Sequence, residues 1–93
     1  MPDALYVLVY DYVPDILERR APYRDAHLEL LRRRCDEGTI VMAGATGDPV
    51  DSGLIVFRSA DDGPVREFVA TDPYGAAGLV RGHRILPWTV VVP

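Results

Sequence analysis

The chain contains no lysine; all ten of its basic residues are arginine. Schiff-base chemistry through a side-chain amine is thereby excluded, and the bias itself reads as codon usage of the source genome rather than selection for guanidinium chemistry. There is one cysteine, Cys35, which rules out an intrachain disulfide and fits a reducing compartment. The two histidines, His27 and His83, form no HxxxH pattern, and one cysteine cannot make a CxxC, so no metal site is expected. Glycine-rich phosphate loops and dinucleotide fingerprints are missing too. No basic segment leads into a long apolar run, so neither a signal peptide nor a membrane span is expected, and a cytoplasmic location follows. The net charge of −4 disfavours nucleic-acid partners.

What is present is an ordinary globular composition, with 48% hydrophobic and 26% charged residues, so disorder is not expected. Ninety-three residues suffice for one domain, taken as 1–93. Ala4 to Tyr10 is apolar at every position and reads as a strand buried on both faces. Asp15-Ile16-Leu17-Glu18 has capping-box spacing for a short helical turn. Pro22 suits the first position of a new helix, which runs to Glu37 and ends at Gly38 as C′ residue. Thr39 to Ala43 is a second strand, Gly44 to Gly53 a loop, and Leu54 to Arg58 a third strand antiparallel to the second. Asp61 or Asp62 caps a helix that carries Val65, Phe68 and Val69 on one side. Pro73 stops or redirects it, and Tyr74 to Leu79 forms another turn. Arg84 to Val92 is the last strand, and Pro87 puts that point on a sheet edge.

The order βαββαβ specifies a two-layer α+β sandwich of ferredoxin-like type. Two helices cover one face of a four-stranded sheet, yet the first and last strands are apolar on both. About ten apolar side chains on the open face would contribute on the order of 15–30 kcal/mol gross if buried. A soluble monomer rarely exposes such a patch. A face-to-face homodimer is expected, two sheets enclosing a barrel-like core.

Projected at about 100° per residue, Leu28, Leu31 and Cys35 share one arc of the main helix and define its core stripe. Arg24 falls in the same arc and His27 on its flank. An arginine aligned with a core stripe needs a partner, because burying an unpaired guanidinium costs several kcal/mol. That partner is either structural (Asp11, Asp72 or sheet-end carbonyls) or a carboxylate or phenolate ligand. Tyr74 either donates a phenolic hydrogen bond to a substrate or caps the core. Asp72 opens an Asp-Pro turn. Gly75 and Gly78 permit close backbone approach at a pocket rim, and Thr46, Asp48, Asp51 and Ser52 could frame its mouth. His83 reads as a solvated residue before the last strand, Arg32-Arg33-Arg34 as a solvated helix face, and Cys35 as core packing rather than a nucleophile.

Arg24-Asp25-Ala26-His27-Leu28, Asp36-Glu37-Gly38, Asp72-Pro73-Tyr74 with Ala77-Gly78, and Pro87-Trp88 together resemble the YciI-like (YCII-related) family. The resemblance runs from Tyr6 to Trp88 and implies a dimeric α/β barrel. It also implies a histidine–aspartate pair, here His27 and Asp72, in a pocket between sheet and helix. Where the family often has Gly-Pro and a longer loop, this chain has Gly44-Ala45 and a compact one, so the resemblance does not carry substrate contacts over from that loop and leaves its role open. The expected activity is cofactor-independent acid–base chemistry of lyase or isomerase type, like the dehydrochlorination carried out by a member of that family. The substrate would be a small anionic or phenolic (aromatic) molecule, with His27 and Asp72 catalytic and Arg24 and Tyr74 on the substrate. Two alternatives stay open: a non-catalytic ligand-binding accessory module in the same pocket, and a cofactor-free dimeric-barrel monooxygenase.

Overall fold

The computed structural model of the protein describes residues 3–93. Four strands, β1 (Ala4–Tyr12), β2 (Ile40–Gly47), β3 (Val50–Ser59) and β4 (Val80–Trp88), alternate with helices α1 (Ile16–Arg19), α2 (Arg24–Asp36), α3 (Gly63–Thr71) and α4 (Pro73–Ala76). The strands form one sheet in the order β2-β3-β1-β4, with every neighbouring pair antiparallel. This is the α+β, ferredoxin-like arrangement of the dimeric α/β barrel class. Pro87 does lie on an edge strand, β4, where its missing N–H costs no ladder bond.

β1 is a central strand, and its helix-facing side chains Leu8, Tyr10 and Tyr12 are buried. They pack with Ile55 and Phe57 of β3, Val65 and Phe68 of α3, and Leu30 of α2. Phe57 and Phe68 meet edge to face at 5.7 Å, a geometry that adds roughly 0.5–1.5 kcal/mol to their burial. Gly53 of β3 sits opposite Tyr10. A Cβ there would lie 2.5 Å from the Tyr12 hydroxyl, so the absent side chain is what lets the Tyr12 ring lie across the sheet.

α2 follows a 3-10 turn, Ala21–Tyr23, that holds Pro22. It ends in a Schellman cap in which Gly38 (φ +85°) donates to the Cys35 carbonyl and Thr39 to that of Arg34. The helix is rotated from the expected orientation. His27 and Leu30 are its buried residues, Leu28 and Leu31 are half-buried, and Cys35 and Arg24 are exposed. A polar residue therefore takes the most inward position of the first turn, and a stripe drawn through apolar residues alone misses it.

Three further boundaries differ from expectation. Residues 44–53 are not a loop: β2 and β3 continue through them and meet at the two-residue connection Asp48–Pro49. Small residues hid this pairing, which rests on backbone hydrogen bonds and needs no large side chain. β4 begins and ends earlier than expected, so His83 lies inside it, paired with Tyr10, while Val91 and Val92 lie beyond it and are exposed. At Asp15 the side chain makes no capping bond; the carbonyl accepts from Glu18 and Arg19 instead.

The second face of the sheet carries no helix. Val7 there is flanked by Leu86 and Val56, Val9 by Leu54, and Leu5 by Trp88. Met42 is 63% and Trp88 46% exposed.

Candidate active site

α3 ends at Thr71 and α4 starts at Pro73, leaving Asp72 between them with extended backbone (φ −68°, ψ 124°). A residue before proline is pushed out of the helical region for steric reasons. The bend turns the Asp72 side chain inward, where it caps α4 by accepting from the Tyr74 N–H at 3.1 Å. Gly78 (φ +74°) closes the far end of the segment, where the Leu79 N–H donates to the Tyr74 carbonyl.

Asp72 is 1% exposed. An isolated buried carboxylate would cost several kcal/mol, which hydrogen bonds to the charged form offset. Besides the Tyr74 N–H, two side chains provide them. The Tyr10 hydroxyl donates to Oδ2 at 2.9 Å, and His27 Nδ1 lies 2.7 Å from Oδ1. With the carboxylate as acceptor, Nδ1 carries the proton, which leaves Nε2 as the free nitrogen. The imidazole is stacked on the Tyr74 ring, centroids 3.7 Å apart and planes within 6°. Tyr12 meets Tyr74 edge-on at 6.0 Å and Tyr10 at 5.8 Å.

His27 and Tyr74 line a cavity of about 280 Å³ between α2 and the sheet. Arg20, Arg24 and Tyr12 border it, and Leu28, Leu31, Val50 and Ile55 form its apolar wall. Neither arginine makes an ion pair among the described residues; Asp11, considered as a partner of Arg24, binds Arg81 at 3.1 Å. The expected alignment of Arg24 with a buried stripe is corrected: the residue stands exposed at the cavity mouth.

Burial drives the phenol pKa values upward. That of Tyr10 rises through burial first and the adjacent Asp72 carboxylate second, so it remains a hydrogen-bond donor at neutral pH. Tyr12 is raised by burial and by Asp72. Tyr74 is raised by burial, with Arg20 and Arg24 pulling in the opposite direction.

His27, Asp72, Arg24 and Tyr74 thus meet at one place, with Asp72 behind the histidine rather than on the cavity surface. Other expected contributors lie elsewhere. Gly75 and Gly78 do not line this cavity, nor do Thr46, Asp48, Asp51 and Ser52; the Ser52 hydroxyl donates to Asp51. His83 is exposed on β4, outside the site. Among the described residues, no group of three or more histidine, cysteine or acidic side chains could hold a metal ion, and no helix is long and apolar enough to cross a membrane. Sequence reasoning missed Tyr10, Tyr12 and Arg20. The tyrosines read as part of an apolar strand, and only the period-two alternation of β1 could have placed both on the same face as the site.

The sequence model of the YCII-related domain matches residues 4–89. The chain belongs to the YCII-related family. No curated protein matches it significantly. Among solved structures, it is similar to 5-chloro-2-hydroxyhydroquinone dehydrochlorinase (TftG) from Burkholderia phenoliruptrix AC1100, solved with 2,5-dihydroxybenzoquinone. That match has 22% identity and a TM-score of 0.76, covering 91% of this chain and 93% of the other. A candidate antibiotic biosynthesis monooxygenase from Bacteroides thetaiotaomicron VPI-5482 matches with 18% identity and a TM-score of 0.61, covering 99% and 92%. An uncharacterised NIPSNAP-like domain protein from Burkholderia xenovorans matches with 15% identity and a TM-score of 0.55, covering 98% and 89%. At these identities the likeness is one of fold, and the YCII-related chain shares it nearly end to end.

Proposed function

We propose that this YCII-related protein is a cofactor-independent enzyme of lyase or isomerase type, acting on a small, single-ring anionic or phenolic molecule. The observation that carries the reading is the 2.7 Å contact between His27 Nδ1 and Asp72, which leaves Nε2 free beside a cavity that Arg24 borders. In this reading Nε2 takes a proton from the substrate, and Asp72 stabilises the imidazolium that forms. Arg24 holds the oxygen on which negative charge develops. In an elimination, the C–H electron pair becomes the new double bond and the leaving group departs with its own pair. In an isomerisation, His27 returns the proton at another atom.

The cavity volume of about 280 Å³ falls just below the roughly 300–1,000 Å³ typical of drug-sized ligands, which favours a single ring. The similar dehydrochlorinase, with a dihydroxyquinone bound, supports the same substrate class. The exposed apolar sheet face supports a working unit of two copies packed face to face, and the lone cysteine fits a cytoplasmic setting.

The test is turnover of 5-chloro-2-hydroxyhydroquinone and related hydroxylated or halogenated single rings, followed by halide release and by solvent-deuterium incorporation. His27→Ala is expected to lower turnover by about 10²–10⁴-fold. Undiminished turnover would remove the proton-transfer role. Tight ligand binding that needs Arg24 but not His27, with no turnover, would make the protein a binding module.

A further inference from the structure

Arg20 borders the same cavity as His27 and Arg24. It is the C-cap of α1, half-buried, and absent from every ion pair among the described residues. Acidic residues outnumber basic ones fourteen to ten in the chain, yet no aspartate or glutamate lines this cavity. Two uncompensated guanidiniums at one hollow are a concentration of like charge that an anion would relieve.

A second observation points independently to a ligand. Tyr74 is 2% exposed, and its buried hydroxyl makes no hydrogen bond of full geometry among the described residues, with Arg24 the side chain nearest to serving as its partner. Native interiors seldom leave such a group unpaired, because it has given up water and received nothing. Arg20, Arg24 and Tyr74 line the same cavity, and both guanidiniums favour negative charge on this hydroxyl, Arg24 by hydrogen bonding as well as by its charge. The apolar wall opposite would receive the face of a ring.

We infer that Arg20, Arg24 and the Tyr74 hydroxyl form a doubly cationic subsite that selects a ring bearing two anionic oxygens. The inference rests on the proposed function and deepens it, by assigning the substrate a double charge and giving Arg20 a role in recognising it. Arg24 and Arg20 each take an oxygen or share a pair of them, and the Tyr74 hydroxyl donates a further hydrogen bond.

Equilibrium titrations at pH 7.5 and low salt test this, with three single-ring probes: neutral hydroquinone, singly charged benzoate and doubly ionised 2,5-dihydroxybenzoquinone. Affinity is expected to rise with charge. Arg20→Met should weaken 2,5-dihydroxybenzoquinone by roughly ten- to a hundredfold while changing benzoate by less than about threefold. Tyr74→Phe keeps the ring and its stacking, so it should weaken the dianion several-fold without lowering the melting temperature of the unliganded protein. A structural role for the hydroxyl would instead lower that temperature. Equal affinity for the three probes, no binding of either anion, or an Arg20→Met effect that is nil or equal for both anions would overturn the inference. His27→Ala separates the two readings. If that variant keeps the charge preference but the wild type turns over none of the hydroxylated or halogenated rings offered as substrates, the proposed enzyme falls and the subsite stands. If His27-dependent turnover persists with no charge preference, the subsite falls and the enzyme stands.

Discussion

The imidazole of His27 lies flat on the ring of Tyr74, 3.7 Å between centroids, and the backbone N–H of the same tyrosine donates to the carboxylate that His27 contacts. One residue therefore fixes both partners of the pair. The stack blocks tilting of the imidazole, and the Asp72 contact sets which nitrogen carries the proton. Preorganisation of this kind lowers the cost of reaching reactive geometry.

Asp72→Asn keeps the shape of the side chain and removes its charge. The imidazolium then loses its stabilising partner, and the Tyr10 hydroxyl faces an amide of altered donor pattern. If the proposed proton transfer operates, turnover is expected to drop by about 10²–10⁴-fold. Unfolding free energy should fall by about 1–3 kcal/mol. Steady-state kinetics and thermal denaturation read the two effects separately, and unchanged kinetics would reduce Asp72 to a purely structural cap.

Alkaline pH should destabilise the fold through Tyr10. Its phenol pKa is raised by burial and by the Asp72 carboxylate, whereas an unfolded tyrosine ionises near about 10. Above that point the folded state holds a proton that the unfolded state releases. The stabilisation is thus fully present below about pH 10 and is lost progressively as pH rises beyond it. Urea denaturation at intervals from pH 8 to pH 11 should show the decline, with a shallower slope in Tyr10→Phe. Identical slopes in the two proteins would contradict it.

Leu86 sits beside Val7 on the helix-free face. If two copies meet there, Leu86→Asp would bury a carboxylate against apolar side chains at a cost of several kcal/mol. Sedimentation should find the wild type as a dimer at micromolar concentration and the variant as a monomer. A wild-type monomer would overturn the face-to-face pairing.

The βαββαβ order was legible because strands and helices here follow their own periods and the helix stops are explicit, at Gly38 and before Pro73. The convergence of Arg24, His27, Asp72 and Tyr74 on one region was legible through short motifs, but the orientation of α2 was not. Apolar periodicity singled out Leu28, Leu31 and Cys35, whereas His27 points inward because Asp72 and Tyr74 receive it. Such partners lie far off in sequence and leave no local trace. Tyr10 was hidden similarly, as a donor inside an apolar strand. Arg20 escaped notice because it sits between two short helical segments, where no repeat indicates a direction.

Asp72 joins Tyr10, 62 positions upstream, and His27, 45 positions upstream. A chain emerging from the ribosome accordingly has no carboxylate for His27 until Asp72 has been synthesised. Closure of these long-range contacts is slow compared with local helix formation. The paired imidazole is therefore a product of tertiary closure, formed only when the segment around Asp72 docks against α2 and β1.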